Sequence, residues 1–384
     1  MAISALALLL WLGPPAVREG GAPLRDACSA DAAVVARLDG GAPLRILFAM
    51  SGDIGTCYKV SSGGSTGYLP AYGITGLEDF EATRRSATDR DLPQMIRAEL
   101  TRLRAEIGAQ PSVRGVLELM DTNQPRRALE MIESALLPAA RRDPSLLALA
   151  GLAAYRSDRA QLAADYWRES LAARPDPAVN RLLEQARREL AADKSGLRTG
   201  GGRFSLRYDG AELSQSEATA VLDAAAVEYA RIDAALRCGI SEPMTIIVQG
   251  ESAYRASTGA ADWSGGQFDG RVRVVLDGKR FTSATRITLA HEIVHACLAR
   301  NGRFPAWFHE GMAQRWSGEQ PPRDDIPRAR HLPQPPPLDK TVDSARLFYA
   351  WSWLAVDTLY RRHGDEGVRA LLGAPASITV PPAN

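Results

Sequence analysis

Two histidines four positions apart flank a glutamate in the string His291-Glu292-Ile293-Val294-His295. Side chains at i and i+4 leave a helix from one face, ~6 Å apart along its axis, so both imidazoles can reach one ion at about 2.0–2.1 Å. Glu292 sits at the edge of that face. From there it binds the same ion poorly but reaches a water beside it, where a carboxylate can accept a proton. The chain has only five histidines, so chance rarely produces this grouping.

A catalytic ion needs a third protein ligand, and this one must come from another element. Asn301-Gly302-Arg303-Phe304-Pro305 reads as a turn, and Pro305 suits the first turn of a new helix. A helical hairpin would return the next residues to the histidine pair, with His309 and Glu310 as candidates. Neighbours on a helix point ~100° apart, so only one of them faces the ion. The metzincin string H-E-x-x-H-x-x-G-x-x-H fails, because Leu298 and Asn301 stand where it needs Gly and His.

Other elements must position these groups. Thr282 or Ser283 can cap a helix running to about Arg300, with Gly302 at its end. Upstream, the pattern predicts a strand at Phe204–Tyr208, a helix from about Ser214 to Cys238, and strands at Met244–Val248 and Val272–Leu276. Strands mixed with helices point to an α+β catalytic domain over 203–384. Tyr349 opens an apolar helix and is either an oxyanion-stabilising catalytic group or a core aromatic. Asp269 is expected to serve a turn. His331, in the Pro-rich segment Pro321 to Pro337, and His363, near a helix end, are expected not to bind metal.

The rest of the chain reads as separate modules. Residues 92–193 are helical throughout, and Ala128, Ile132 and Ala135 recur 35 positions later as Ala163, Trp167 and Ser170. The Gly-rich stretch 194–202 reads as a linker. Residues 26–80 are strand-like and turn-rich. The apolar run Ala2 to Leu12 suits a secretory signal within 1–20, so export to a periplasmic or extracellular space is expected, with a cytoplasmic location as the alternative. In an exported chain Cys28 and Cys57 can staple the N-terminal module. Cys238 and Cys297 are either a second pair or free buried thiols.

In combination, His291-Glu292-x-x-His295 and Pro305-x-Trp307-x-x-Glu310-Gly311-x-Ala313 resemble the gluzincins of the peptidase MA-like family. The resemblance covers about 203–372. It implies a zincin-like fold, a Zn2+ cofactor held by His291, His295 and Glu310, and Glu292 as general base. Trp263 to Val272 is similar to the family's strand beside the active-site helix, which can pair with an extended peptide. Tyr349 to Gly364 is similar to its closing helix. Some gluzincins carry an Asp four residues after the Glu ligand. Here that place is Gln314, which leaves the outer partners of the histidine rings unassigned. Gly67-Tyr68-Leu69-Pro70-Ala71 resembles the closing string of a small all-β bacterial SH3-like barrel. The 35-residue spacing resembles tetratricopeptide repeats, which would dock a protein partner or act as a spacer.

The expected activity is therefore zinc-dependent peptide-bond hydrolysis on a peptide or protein substrate. The alternatives are a catalytically degenerate envelope scaffold and another zinc hydrolase, such as an amidase, on the same site. A net charge of +1 with scattered arginines gives no basis for nucleic-acid binding, and no segment approaches transmembrane length.

Overall fold

The computed structural model describes residues 14–26, 32–52, 55–77, 80, 92–140, 143–193, 196–260, 264–276, 280–337 and 342–381. The expected signal segment lies largely outside them, and Cys28 lies outside them altogether. The chain is a mixed α/β protein. It divides into two compact units, one formed mainly by residues 1–89 and the other by 90–260 with 264–384.

The described residues of the first unit are mainly β. Strands β1 (Ala16–Val17), β2 (Ala22–Arg25), β3 (Val34–Leu38), β4 (Arg45–Gly52), β5 (Gly55–Ser62), β6 (Ser65–Pro70) and β7 (Ile74–Thr75) form two sheets. β1 pairs with β7, and the other five run in the order β3-β2-β6-β5-β4. Leu24, Tyr58, Val60, Leu69 and Ile74 fill its small core. Gly67 lets β2 and β6 meet, since a Cβ there would stand 2.6 Å from the Arg25 carbonyl oxygen. The five-stranded sheet keeps two edges, so no closed barrel forms among the described residues. Cys57 is disulfide-bonded.

The second unit opens with six helices: α1 (Leu92–Ile107), α2 (Pro111–Asp121), α3, α4 (Pro144–Arg156), α5 (Ala160–Ala173) and α6 (Pro177–Ala192). α3 runs from Pro125–Met131 through one π turn, Ile132–Leu136, into Leu137–Ala140. The recurring positions explain the close pairing of α4 and α5. Trp167 is fully buried and donates from Nε1 to the Ala148 carbonyl, 3.2 Å away. A Cβ on Gly151 would lie 2.2 Å from that nitrogen, so only glycine admits the indole. Ser170 Oγ donates to the Pro144 carbonyl at 2.7 Å, which ties the two helices at their far ends.

Next come β8 (Gly196–Gly201), β9 (Phe204–Asp209), α7 (Gln215–Leu236), β10 (Met244–Gly250), α8 (Glu251–Thr258), β11 (Gly266–Phe268), β12 (Val272–Leu276), α9 (Ser283–Asn301), α10 (Ala306–Ser317), α11 (Asp325–Arg330) and α12 (Val342–Leu372, interrupted at Gly364). The strands form one sheet, β11-β12-β10-β9-β8, with β9, β10 and β12 parallel and the two edge strands antiparallel. The expected linker is thus corrected. Most of it is the edge strand β8, registered from Gly196 opposite Asp209 to Gly201 opposite Phe204. Glycines make poor strands by propensity, but backbone pairing needs no side chain, and Arg198 on β8 adds an ion pair to Asp158.

Alternation gives the sheet two unlike faces. Leu206, Tyr208, Ile246, Val248, Val272 and Val274 join an apolar core with α7, α9, α10 and α12. The opposite face carries Arg207 and Arg273, with Arg271 just before β12, against Glu189 of α6. All four are buried. Arg207, Arg271 and Arg273 reach Glu189 at 2.5, 2.9 and 2.5 Å, and Arg271 and Arg273 also reach Asp269 at 2.8 and 2.7 Å. The helical segment and the sheet therefore belong to one compact unit. No described helix is long and apolar enough to cross a membrane.

Candidate metal centre

α9 starts where its sequence says it should. Thr282 Oγ1 accepts from the Thr285 amide, and the Thr285 side chain accepts from the Thr282 amide in return. Leu289, Ile293 and Ala296 turn one side of α9 into the core, which leaves His291 and His295 on another. Two residues past His295, Cys297 forms a disulfide with Cys238, just beyond α7 (Cα–Cα 4.6 Å). The open choice between a pair and free thiols is settled as a pair, and it pins the C-terminal half of α9.

After Gly302, whose φ of 133° favours glycine, the chain reverses and α10 begins behind Pro305. Phe308, Met312 and Ala313 bury one side of α10. Gly311 meets α12 so closely that a Cβ would lie 2.2 Å from the Ser352 carbonyl oxygen. This packing turns Glu310 toward α9.

The two helices converge on one point. Ligand atoms of His291, His295 and Glu310 all lie within 4.8 Å of one another, the one such group of three or more among the described residues. Glu310 Oε2 is 3.2 Å from His291 Nε2 and 3.6 Å from His295 Nε2. The expected ligand set is brought together, and it can hold a metal ion.

Glu292 is buried beside this group, and its Oε2 has no hydrogen-bond partner among the described residues. Its other oxygen lies against β11, where a Cβ on Gly266 would stand 2.7 Å away. A buried carboxylate oxygen without a partner is costly unless a water or ion sits there, so the residues present fit an ion with its water. Burial pushes the Glu292 carboxyl up to about 7, against the opposing pull of His295 and His291. That is the range in which a carboxylate both takes and returns a proton near neutrality.

The charge balance follows from the same contacts. Burial would lower the pKa of His291, but hydrogen bonds to Glu310 and Glu319 hold it well above the usual imidazole value. Burial would raise Glu310, but His295 and His291 hold it well below the carboxylate range. His309 is pushed down to about 3 by burial and by His295, so its ring is neutral.

His309, weighed in the sequence as a third ligand, stands behind His295 instead, with 3.4 Å between their Nδ1 atoms. Glu319 approaches the back of His291, Oε2 to Nδ1, at 2.9 Å. The sequence gives no sign of Glu319, which lies past the α10 cap Gly318 and follows no ligand spacing. Gln314 is buried and its Oε1 is unpartnered. Tyr349 lies in α12, edge-on to Phe348 with ring centroids 6.1 Å apart. Asp269 caps its own turn through the Arg271 amide (2.9 Å) and pairs with arginines, as a structural residue does. His331 and His363 are exposed and outside the group.

Two imidazoles, one carboxylate and a partnerless carboxylate beside them can bind a divalent ion of borderline softness and move a proton next to it. No protein-family model matches the chain, and no curated protein matches it.

Proposed function

We propose that this chain is a zinc-dependent peptidase, with His291, His295 and Glu310 as ligands and Glu292 as general base. One observation carries the reading: three ligand atoms converge while a fourth side chain, Glu292, stands beside them with a free buried oxygen. Ligands at 2.0–2.1 Å in a tetrahedron lie about 3.3 Å apart, and the two separations to Glu310, 3.2 and 3.6 Å, bracket that value. Two imidazoles with one carboxylate are the three-ligand set of a catalytic rather than a structural zinc site.

A bound zinc would polarise the scissile carbonyl and make its water acidic. Glu292 would be the group that takes a proton from a water beside these residues and returns it to the departing amine. Gly266 keeps the wall next to Glu292 free of a side chain. β11, an edge strand at the same wall, offers backbone groups to an extended peptide. Tyr349 would donate to the developing oxyanion. The finer resemblances, to a tetratricopeptide array and an SH3-like module, would serve as a spacer and a docking element.

Two observations support an oxidising, exported setting. Cys238 is bonded to Cys297, and Cys57 is also disulfide-bonded. The test is a peptide-library cleavage profile with wild-type protein and Glu292→Gln. The variant is expected to keep its zinc and lose at least ~100-fold in rate. Equal cleavage by both proteins would remove Glu292 from the mechanism, and no cleavage by the zinc-loaded wild type would favour the scaffold alternative.

A further inference from the structure

A metal-binding imidazole needs its second nitrogen tied down, because the ring can otherwise rotate and exchange tautomers. Both candidate ligand rings present Nε2 to Glu310 and Nδ1 away from it. If Nε2 binds the ion, Nδ1 must carry the hydrogen and needs an acceptor. For His291 that acceptor is Glu319 Oε2, at 2.9 Å. For His295 it is His309 Nδ1, at 3.4 Å, in a ring tilted 44° with its centroid 5.5 Å away. An imidazole accepts at Nδ1 only when its own hydrogen is on Nε2, so the contact sets the tautomer of His309 as well as that of His295.

Both acceptors come from one short stretch. His309 and Glu310 are adjacent in α10, and Glu319 follows Gly318, whose φ of 84° ends that helix. Ser317 Oγ accepts from the Glu319 amide at 3.2 Å and fixes the turn that brings the carboxylate back to α9. Phe304 holds the other ring from the side, edge-on to His309 with centroids 5.9 Å apart. Gln314 makes no hydrogen bond to either ring among the described residues, and its buried Oε1 is without a partner.

We propose that His309 and Glu319 are positioning residues that orient His295 and His291, so that 309–319 supplies the third ligand and both ring acceptors. The assignment rests on the zinc reading above. The two acceptors differ in kind. A carboxylate on His291 adds negative charge to the site, whereas a neutral imidazole on His295 orients its ring and adds none.

The test uses full-length protein, with zinc affinity read by chelator competition and geometry read from the visible spectrum of the cobalt-loaded form. His309→Ala and Glu319→Ala are each expected to weaken zinc binding about 10–100-fold and to shift the cobalt bands. His309→Gln and Glu319→Gln, which keep an acceptor oxygen, are expected to recover most of the affinity. The apo proteins should melt with the wild type. Wild-type affinity and an unchanged cobalt spectrum in both alanine variants would overturn the assignment while leaving the zinc site intact. A His309→Gln protein as impaired as His309→Ala would overturn it for His309. Wild-type protein that binds no zinc would overturn the assignment and the site reading together.

Discussion

Two clusters of buried charge lie on opposite sides of the same sheet, and they are built on opposite principles. On the α6 side, Glu189 and Asp269 are surrounded by Arg207, Arg271 and Arg273, groups whose charge does not change across the working pH range. Tyr155 adds its hydroxyl to Glu189, and its ring lies 4.2 Å from the Arg271 guanidinium carbon. On the α9 side, Glu310 is surrounded by imidazoles, which can give up their protons to an ion, and Glu292 keeps an oxygen without a partner. The first cluster is held by charges it cannot release and serves as a joint between helices and sheet. The second is held by groups that can exchange protons and could hold a metal ion, which is what the proposed chemistry requires. Burial and carboxylates are common to both, so neither marks the functional site. The identity of the cations does.

The contrast can be broken at several points. The largest effect is expected at the metal side, where Glu292→Gln should reduce peptide hydrolysis ~100–10,000-fold with zinc content unchanged. On the joint side, Glu189→Ala strands three guanidinium groups and should cost about 3–5 kcal/mol in urea unfolding. A loss below ~1 kcal/mol would show that the arginines find other partners. The joint also predicts an acid response. Asp269 is buried, which alone would raise its carboxyl, but Arg271 and Arg273 bring it down from 3.8 to about 2. A depressed folded value means its stabilisation is complete above about pH 4 and disappears as the pH falls toward about 2. That loss is on the order of 2–3 kcal/mol, checked by thermal melts from pH 6 to 2. Asp269→Asn should flatten that part of the profile. The smallest effect is expected from Gly266→Ala, whose methyl would press on Glu292. Hydrolysis should fall ~10-fold while the affinity for zinc stays within about twofold, separating placement of the base from metal binding.

Much of the metal side was legible in the sequence because its signals are local. The i, i+4 histidines, the cap at Thr282 and the turn at Gly302 each depend on residues close in sequence, whereas the choice of Glu310 over His309 came from the family resemblance. The span Val272–Leu276 was also readable, as alternation shows within a strand. The joint was not legible. Glu189 meets Arg271 across 82 residues, and scattered arginines carry no pattern that indicates burial. Glu319 was missed for a related reason. Its role depends on a left-handed Gly318 returning the chain to α9, a three-dimensional fact with no periodic signature. The stretch 194–202 looked flexible because its glycines carry no side-chain pattern, yet β8 is held by backbone pairing that composition does not encode.

The most direct measurement is the zinc content of purified full-length protein beside Glu310→Ala. About one zinc per wild-type chain, with loss from the variant at the same chelator concentration, is the predicted result. Wild-type protein without zinc, or a variant that keeps it, would contradict the assignment of His291, His295 and Glu310 as a metal site.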